Sequence, residues 1–229
     1  MGYIMGMTKT FTMRNVLAVV VAALMLTGCA TTTQTPPVIH SRVESRPVQH
    51  AASIAVVGDS ITAWAPPFAG NPAQSWVYTA TDNNLPLVGG WALPGATLGQ
   101  MSTSVTPAPG AYFLIIMGGT NDIYQGVPIP ERLALIDQIA ATVHARNVIL
   151  SSVAPYNPDP AAAAEWNAVL EVHATAMGWS FIDPWMNVRT PEQTWVAGAD
   201  YGDGVHPNPS SAAIIGVSVR TLVDQFYGR

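Results

Sequence analysis

The sequence predicts an α/β protein built on a mostly parallel, five-stranded sheet with helices on both faces. Two observations carry this. Five short apolar runs, each bounded by glycine, proline or a polar cluster, alternate with longer stretches of helical period, the mark of successive strand–helix units. The polar, Gly-rich clusters follow the runs, which puts them on the rim where open parallel sheets bind ligands. Composition agrees: 229 residues, 49% apolar and 10% charged, supply a substantial core and argue against disorder.

The elements follow in chain order. Lys9 and Arg14 precede Val16–Leu26, an apolar run of 11 residues. As a helix that run rises only ~16 Å, too short for a ~30 Å hydrocarbon core. Residues 1–28 therefore read as a secretory signal peptide. Met7 and Met13 are alternative starts. The one cysteine, Cys29, closes "LTGC", which resembles the lipobox of bacterial lipoproteins. That resemblance implies lipidation of Cys29 and a protein held on a membrane of the bacterial envelope, outside the cytoplasm. An ordinary signal peptide with an incidental cysteine is the alternative. A single cysteine also excludes an internal disulfide.

Residues 29–52, rich in Thr, Pro and Ser, read as a tether. His40 and His50 within it read as solvated side chains, with a weak metal site as the alternative. Net charge is -5; loss of residues 1–28 removes Lys9, Arg14 and no acid, leaving 7 basic residues against 14 acids. With no basic run, nucleic acid is not expected as a partner.

From residue 53 to residue 229 a single domain is expected. "SIAVVGDS" reads as a buried strand running into a Gly turn, "LPLVGG" as a weaker strand, and "AYFLIIMGGTND", "NVILSSVAP" and "WSFIDP" as three more. "ERLALIDQIAATVHA" places Leu133, Ile136, Ile139, Ala140 and Val143 on one helical face, and "AAAAEWNAVLEVHATAMG" does the same for Trp166, Val169, Leu170, His173 and Met177, with Gly178 as the stop. "PSSAAIIGVSVRTLVDQFY" reads as a final helix, and "ITAW" as a possible helix start after the first strand.

Five residues on the expected rim carry chemistry. Ser60 ends the first strand at a helix start, where a hydroxyl sits at the rim near a positive helix N-terminus; alone, it also reads as a helix N-cap. Asp203 lies three residues before His206 in "DGVHPN", close enough for the carboxylate to accept the imidazole Nδ1–H, fix the tautomer and leave Nε2 as a base. A surface turn with a chance Asp and His is the alternative. His144 and His173 fall in helices and read as surface or packing residues. Acyl transfer also needs N–H donors for the developing oxyanion. Asn121 in "GGTND" offers a side-chain amide and Gly95 in "LPGAT" an unobstructed backbone N–H; an Asx-turn and a plain turn glycine are their alternatives. Asp122 is expected to hold a loop together.

"VVGDSIT", "LPGAT", "GGTND" and "DGVHPN" together resemble the four blocks of the SGNH-type (GDSL) hydrolase family, in that family's order, over residues 53–229. The resemblance implies a three-layer α/β/α, flavodoxin-like sandwich (the SGNH hydrolase fold). It implies Ser60 as nucleophile, His206 as base, Asp203 as orienting acid, and an oxyanion hole from the Ser60 N–H, Gly95 and Asn121. Ile61 stands where some members carry Leu, and in "GGWALPGAT" the Asn or Arg that relatives often place nearer the glycine is missing.

The reading is a lipid-anchored serine esterase acting on small-molecule or glycan esters, with short acyl or O-acetyl groups first, and needing no metal or cofactor. Lipases or thioesterases of longer chains, and a non-catalytic binding lipoprotein on the same fold, are the rivals. Activity is expected to fall below about pH 6–7, because His206 must be neutral to act as base. Trp64, Trp91, Tyr124, Trp185 and Trp195 lie near the motifs and read either as pocket lining or as packing. No G-x-S-x-G surrounds Ser60 and no G-x-G-x-x-G surrounds Gly118–Gly119, which disfavours the α/β-hydrolase and dinucleotide-binding folds.

Overall fold

The computed structural model describes residues 52–63 and 75–228, all within a compact unit spanning Arg46–Arg229. The expected signal peptide, Cys29, the expected tether up to residue 51 and Trp64 lie outside the described residues. Five strands form one sheet: β1 (Ile54–Gly58), β2 (Leu87–Ala92), β3 (Phe113–Met117), β4 (Asn147–Ser151) and β5 (Ser180–Ile182). Their spatial order is β2-β1-β3-β4-β5, and every pairing is parallel. The helices are α1 (Val77–Ala80), α2 (Leu98–Ser104), α3 (Thr120–Gln125), α4 (Ile129–Val143), α5 (Pro160–Met177) and α6 (Pro209–Tyr227).

The continuous apolar runs are explained by burial on both faces. All five residues of β1 and of β3 are buried. Successive side chains on a strand point to opposite faces, so each run feeds two cores. Ile54 and Val56 of β1, with Phe113, Ile115 and Met117 of β3, pack with Trp76 and Val77 at α1 and with Ile215, Val219 and Val223 of α6. Ala55 and Val57, with Leu114 and Ile116, pack with Leu98 and Met101 of α2, Ile136 and Ile139 of α4, and Trp166 and Leu170 of α5. The result is the expected three layers.

Helix ends follow local chemistry. Asp159 caps α5 by accepting the Ala162 N–H, with Pro160 in the first turn, and Gly178 ends it in the left-handed conformation at φ 69°, as expected for a C-terminal glycine. Asn208 caps α6 from two residues after His206, so the polar loop runs straight into a rigid helix. One expectation shifts: the buried stripe of α5 is Ala163, Trp166, Leu170 and Ala174, and Met177 in the last turn is 45% exposed.

The chain passes from β1 to β2 on one side and then crosses to β3 on the other. The carboxyl ends of β1 and β3 therefore flank the topological switch point, where open α/β sheets hold ligands. β1 ends immediately before Asp59–Ser60, and β3 ends at Met117, immediately before Gly118–Gly119 and Asn121.

Candidate active site

The turn after β1 presents Ser60. The Thr62 and Ala63 N–H groups both donate to the Asp59 carbonyl, at 3.1 and 2.9 Å, and Asp59 Oδ1 accepts the Ile61 N–H at 3.1 Å. Gly58 permits the tight return: a Cβ there would run into the Thr62 side chain and the Met117 carbonyl. The helix expected from "ITAW" is a single turn over the described residues. Asp59 is 2% exposed, and desolvation pushes its carboxyl up to about 6 against the pull of the Ile61 N–H and of His206.

The loop after β5 brings the second half of the site. Asp203 Oδ1 accepts the backbone N–H groups of Val205 and His206, both at 2.9 Å. Its Oδ2 lies 2.7 Å from His206 Nδ1. With the ring proton on Nδ1 and donated to Asp203, Nε2 is an acceptor, and the Ser60 hydroxyl lies 2.8 Å from it. Partial desolvation works to raise the Asp203 carboxyl, but the His206 N–H, the His206 ring and the Val205 N–H outweigh it, and the group sits below its ordinary value.

Two residues shape that loop with no sequence motif to announce them. Asp200 Oδ2 accepts from Gly202 and Gly204 N–H at 3.1 and 2.7 Å. Asn157, between β4 and α5, donates its N–H to the Gly204 carbonyl at 2.9 Å and accepts the Trp195 N–H on Oδ1 at 2.9 Å. Both are common loop-forming residues, so only tertiary context gives them a role.

Gly95 and Asn121 face the same place. Ser60, His206, Gly95, Asn121, Asp59, Ile61, Pro94, Thr120 and Val205 line one cleft of ≈ 230 Å³. Asn121 sits in the first turn of α3, not in an isolated loop, and one amide hydrogen of its Nδ2 goes to the Ala96 carbonyl at 2.9 Å, leaving the other. Gly95 has φ +77° with open space around it. All five sequence-derived positions of the site thus meet at the switch point. Such an arrangement can ionise a hydroxyl against an imidazole held by a carboxylate and set N–H donors beside an oxyanion.

Among the described residues, the aromatic side chains do not line this cleft. Trp185 and Trp195 are buried and meet edge to face at 6.1 Å, Tyr124 is exposed, and Trp91 packs on the core. His173 bridges α5 to Asp137 of α4 at 2.8 Å, and exposed His144 ends α4 at φ 56°. Among the described residues no group of three or more His, Cys, Asp or Glu is arranged to hold a metal ion.

The model of the GDSL-like lipase/acylhydrolase family matches residues 56–214. No curated protein sequence matches the chain. Among solved structures, a protein of the lipolytic G-D-S-L family from Desulfitobacterium hafniense superposes with a TM-score of 0.64 at 18% identity, over 75% of this chain and 99% of its own. A GDSL-like lipase from Bacteroides thetaiotaomicron gives 0.59 at 20% identity, over 79% and 91%. A lipolytic G-D-S-L family member from Veillonella parvula gives 0.59 at 20%, over 75% and 98%. At these identities the structures share the fold, and the family match carries the rest: this chain belongs to the GDSL-like lipase/acylhydrolase family and is a hydrolase of that type.

Proposed function

We propose that the protein is a serine esterase in which Ser60 is the nucleophile, His206 the general base and Asp203 the acid that orients it. The observation that carries this reading is the unbroken line from Ser60 Oγ to His206 Nε2 at 2.8 Å and from His206 Nδ1 to Asp203 at 2.7 Å, opening on the cleft with Gly95 and Asn121. His206 takes the Ser60 proton as Oγ attacks the ester carbonyl. The oxyanion is held by the Ser60 and Gly95 N–H groups and the free Asn121 amide hydrogen. The C–O bond to the alcohol breaks and the alcohol leaves with the proton from His206. Water then attacks the acyl-enzyme by the reverse route, releasing the acid and restoring Ser60.

Short acyl esters, including O-acetyl groups on glycans, are the favoured substrates. The cleft of ≈ 230 Å³ falls below the ~300–1,000 Å³ typical of pockets that enclose drug-sized ligands, and its walls at Ile61, Pro94 and Val205 are apolar. The N-terminal pattern adds a lipid anchor at Cys29, and so attachment to a membrane of the cell envelope.

Turnover of p-nitrophenyl acetate, butyrate and octanoate by the purified protein tests both parts. Ser60→Ala is expected to lose at least ~10³-fold in kcat, and the acetate to be the best substrate. An octanoate preference would move the reading to the lipase or thioesterase class, and an unimpaired Ser60→Ala would end it.

A further inference from the structure

Asp122 contributes nothing to the cleft wall, yet it is fully buried. It follows Asn121 on α3, and both of its carboxylate oxygens accept the Leu98 N–H, at 3.2 and 3.0 Å. Leu98 is the first residue of α2, and the turn just before it carries Gly95. Three ties close that turn. Ala96 N–H donates to the Leu93 carbonyl at 3.1 Å. Asn121 Nδ2 donates to the Ala96 carbonyl at 2.9 Å. Thr97 and Gln100 cap α2 reciprocally. The first and third act within the turn. The Asn121 bond and the Asp122–Leu98 bond, made by adjacent residues of α3, are the ones that tie the turn to that helix.

α3 is itself seated firmly. A Cβ on Gly119 would strike the Trp166 indole, whose Nε1 donates to the Gly118 carbonyl at 3.3 Å. Arg132, 4.8 Å above the Trp166 ring, bonds the Val127 carbonyl through Nε at 2.8 Å. The Gly95 turn thus hangs on a braced helix through one amide and one charged group.

We infer that Asp122 is a positioning residue for the oxyanion hole, acting through the Leu98 N–H to hold the Gly95 N–H at its distance from the Asn121 amide. This rests on the reading of Ser60 as nucleophile. A charge-assisted bond is shorter and about twice as strong as a neutral one. Gly95 has no side chain to anchor itself and a left-handed backbone at φ +77°, so its placement must come from neighbours. Displacement of a donor by about 1 Å costs on the order of 10²-fold in rate, and the loss falls on the transition state, where the oxyanion exists.

The test uses the full-length protein and p-nitrophenyl acetate. Asp122→Ala removes both acceptors, while Asp122→Asn keeps one oxygen for the Leu98 N–H. Asp122→Ala is expected to lose about 10²-fold in kcat with KM within about twofold. Its affinity for phenylboronic acid, which forms a tetrahedral anion on serine, should drop in parallel, and Asp122→Asn should recover most of kcat. If thermal unfolding shows that Asp122→Ala does not fold, Asp122→Ser takes its place, since its hydroxyl satisfies the buried position but falls short of Leu98. A folded Ala or Ser variant with near wild-type kcat, or an Asn variant as impaired as Ala, overturns the inference. Ser60→Ala judges the underlying reading separately: if it is inactive while Asp122→Ala is unimpaired, only the positioning role fails.

Discussion

Asp59 sits in the turn that presents Ser60, almost sealed from water. Its carboxyl is pushed up to about 6 by that burial, so at neutral pH the folded chain carries a charge it would hold more easily when unfolded. The sign follows from linkage. Between the ordinary carboxylate range and pH 6 the folded state binds the proton more tightly, so stability falls as pH rises through that window. Asp59→Asn keeps the side-chain oxygen for the Ile61 N–H and removes the charge. It is expected to stabilise the fold by up to about 3 kcal/mol at pH 8, with the gain vanishing toward pH 4; urea midpoints at the two pH values measure this. Asp203 works the other way. Held below its ordinary value, chiefly against desolvation, by bonds from His206 and Val205, it keeps its charge as pH falls to the ordinary carboxylate range. Loss of the Asp203 charge is therefore not expected to limit activity above that range, and the pH profile of kcat/KM in Asp59→Asn is expected to match that of the wild type.

At the level of elements, legibility tracked burial. β1 and β3 are buried at every position, so their sequences are unbroken apolar runs. β2 is an edge strand with mostly half-buried residues, hence its weaker signal, while β5, read from "WSFIDP", has only three residues. The long helices α4, α5 and α6 declare themselves by period and caps. α1, α2 and α3, with 4, 7 and 6 residues, are too short for a period to show, and tertiary packing holds them. α2 alone left a trace, the Thr97–Gln100 capping-box spacing. The site residues were legible because each sits next to a strand end or in a stiff polar turn. The Asp122–Leu98 tie and the Asn157 clamp were not, because they join segments 24 and 38 residues apart. Two glycines separate turn geometry from packing. Gly178 and Gly119 both have positive φ, but only Gly119 faces a wall, the Trp166 indole. Gly178→Ala is expected to cost about 1 kcal/mol, the left-handed penalty alone, and Gly119→Ala clearly more. Equal shifts in urea unfolding would refute the close approach at Gly119.

For the whole molecule, sheet order decides where chemistry happens. Because β1 lies between β2 and β3, the loops after β1, β2 and β3 converge, and the loop after β5 closes over them. Ser60, Gly95, Asn121 and His206, spread over about two-thirds of the sequence, line one cleft for that reason. Among the described residues no helix is long and apolar enough to cross a membrane; the proposed attachment is read from the sequence around Cys29. Cys29→Ala is expected to move the protein from the membrane to the soluble fraction, and a variant that stays with the membrane would end the anchor proposal. The central claim is that the hydroxyl at position 60 is the one His206 activates. Mass spectrometry after treatment with a fluorophosphonate tests it most directly. The account predicts one adduct, on the peptide bearing Ser60, absent from Ser60→Ala and strongly slowed in His206→Ala. An adduct on another residue, or esterase activity undiminished in the Ser60→Ala protein, would contradict it.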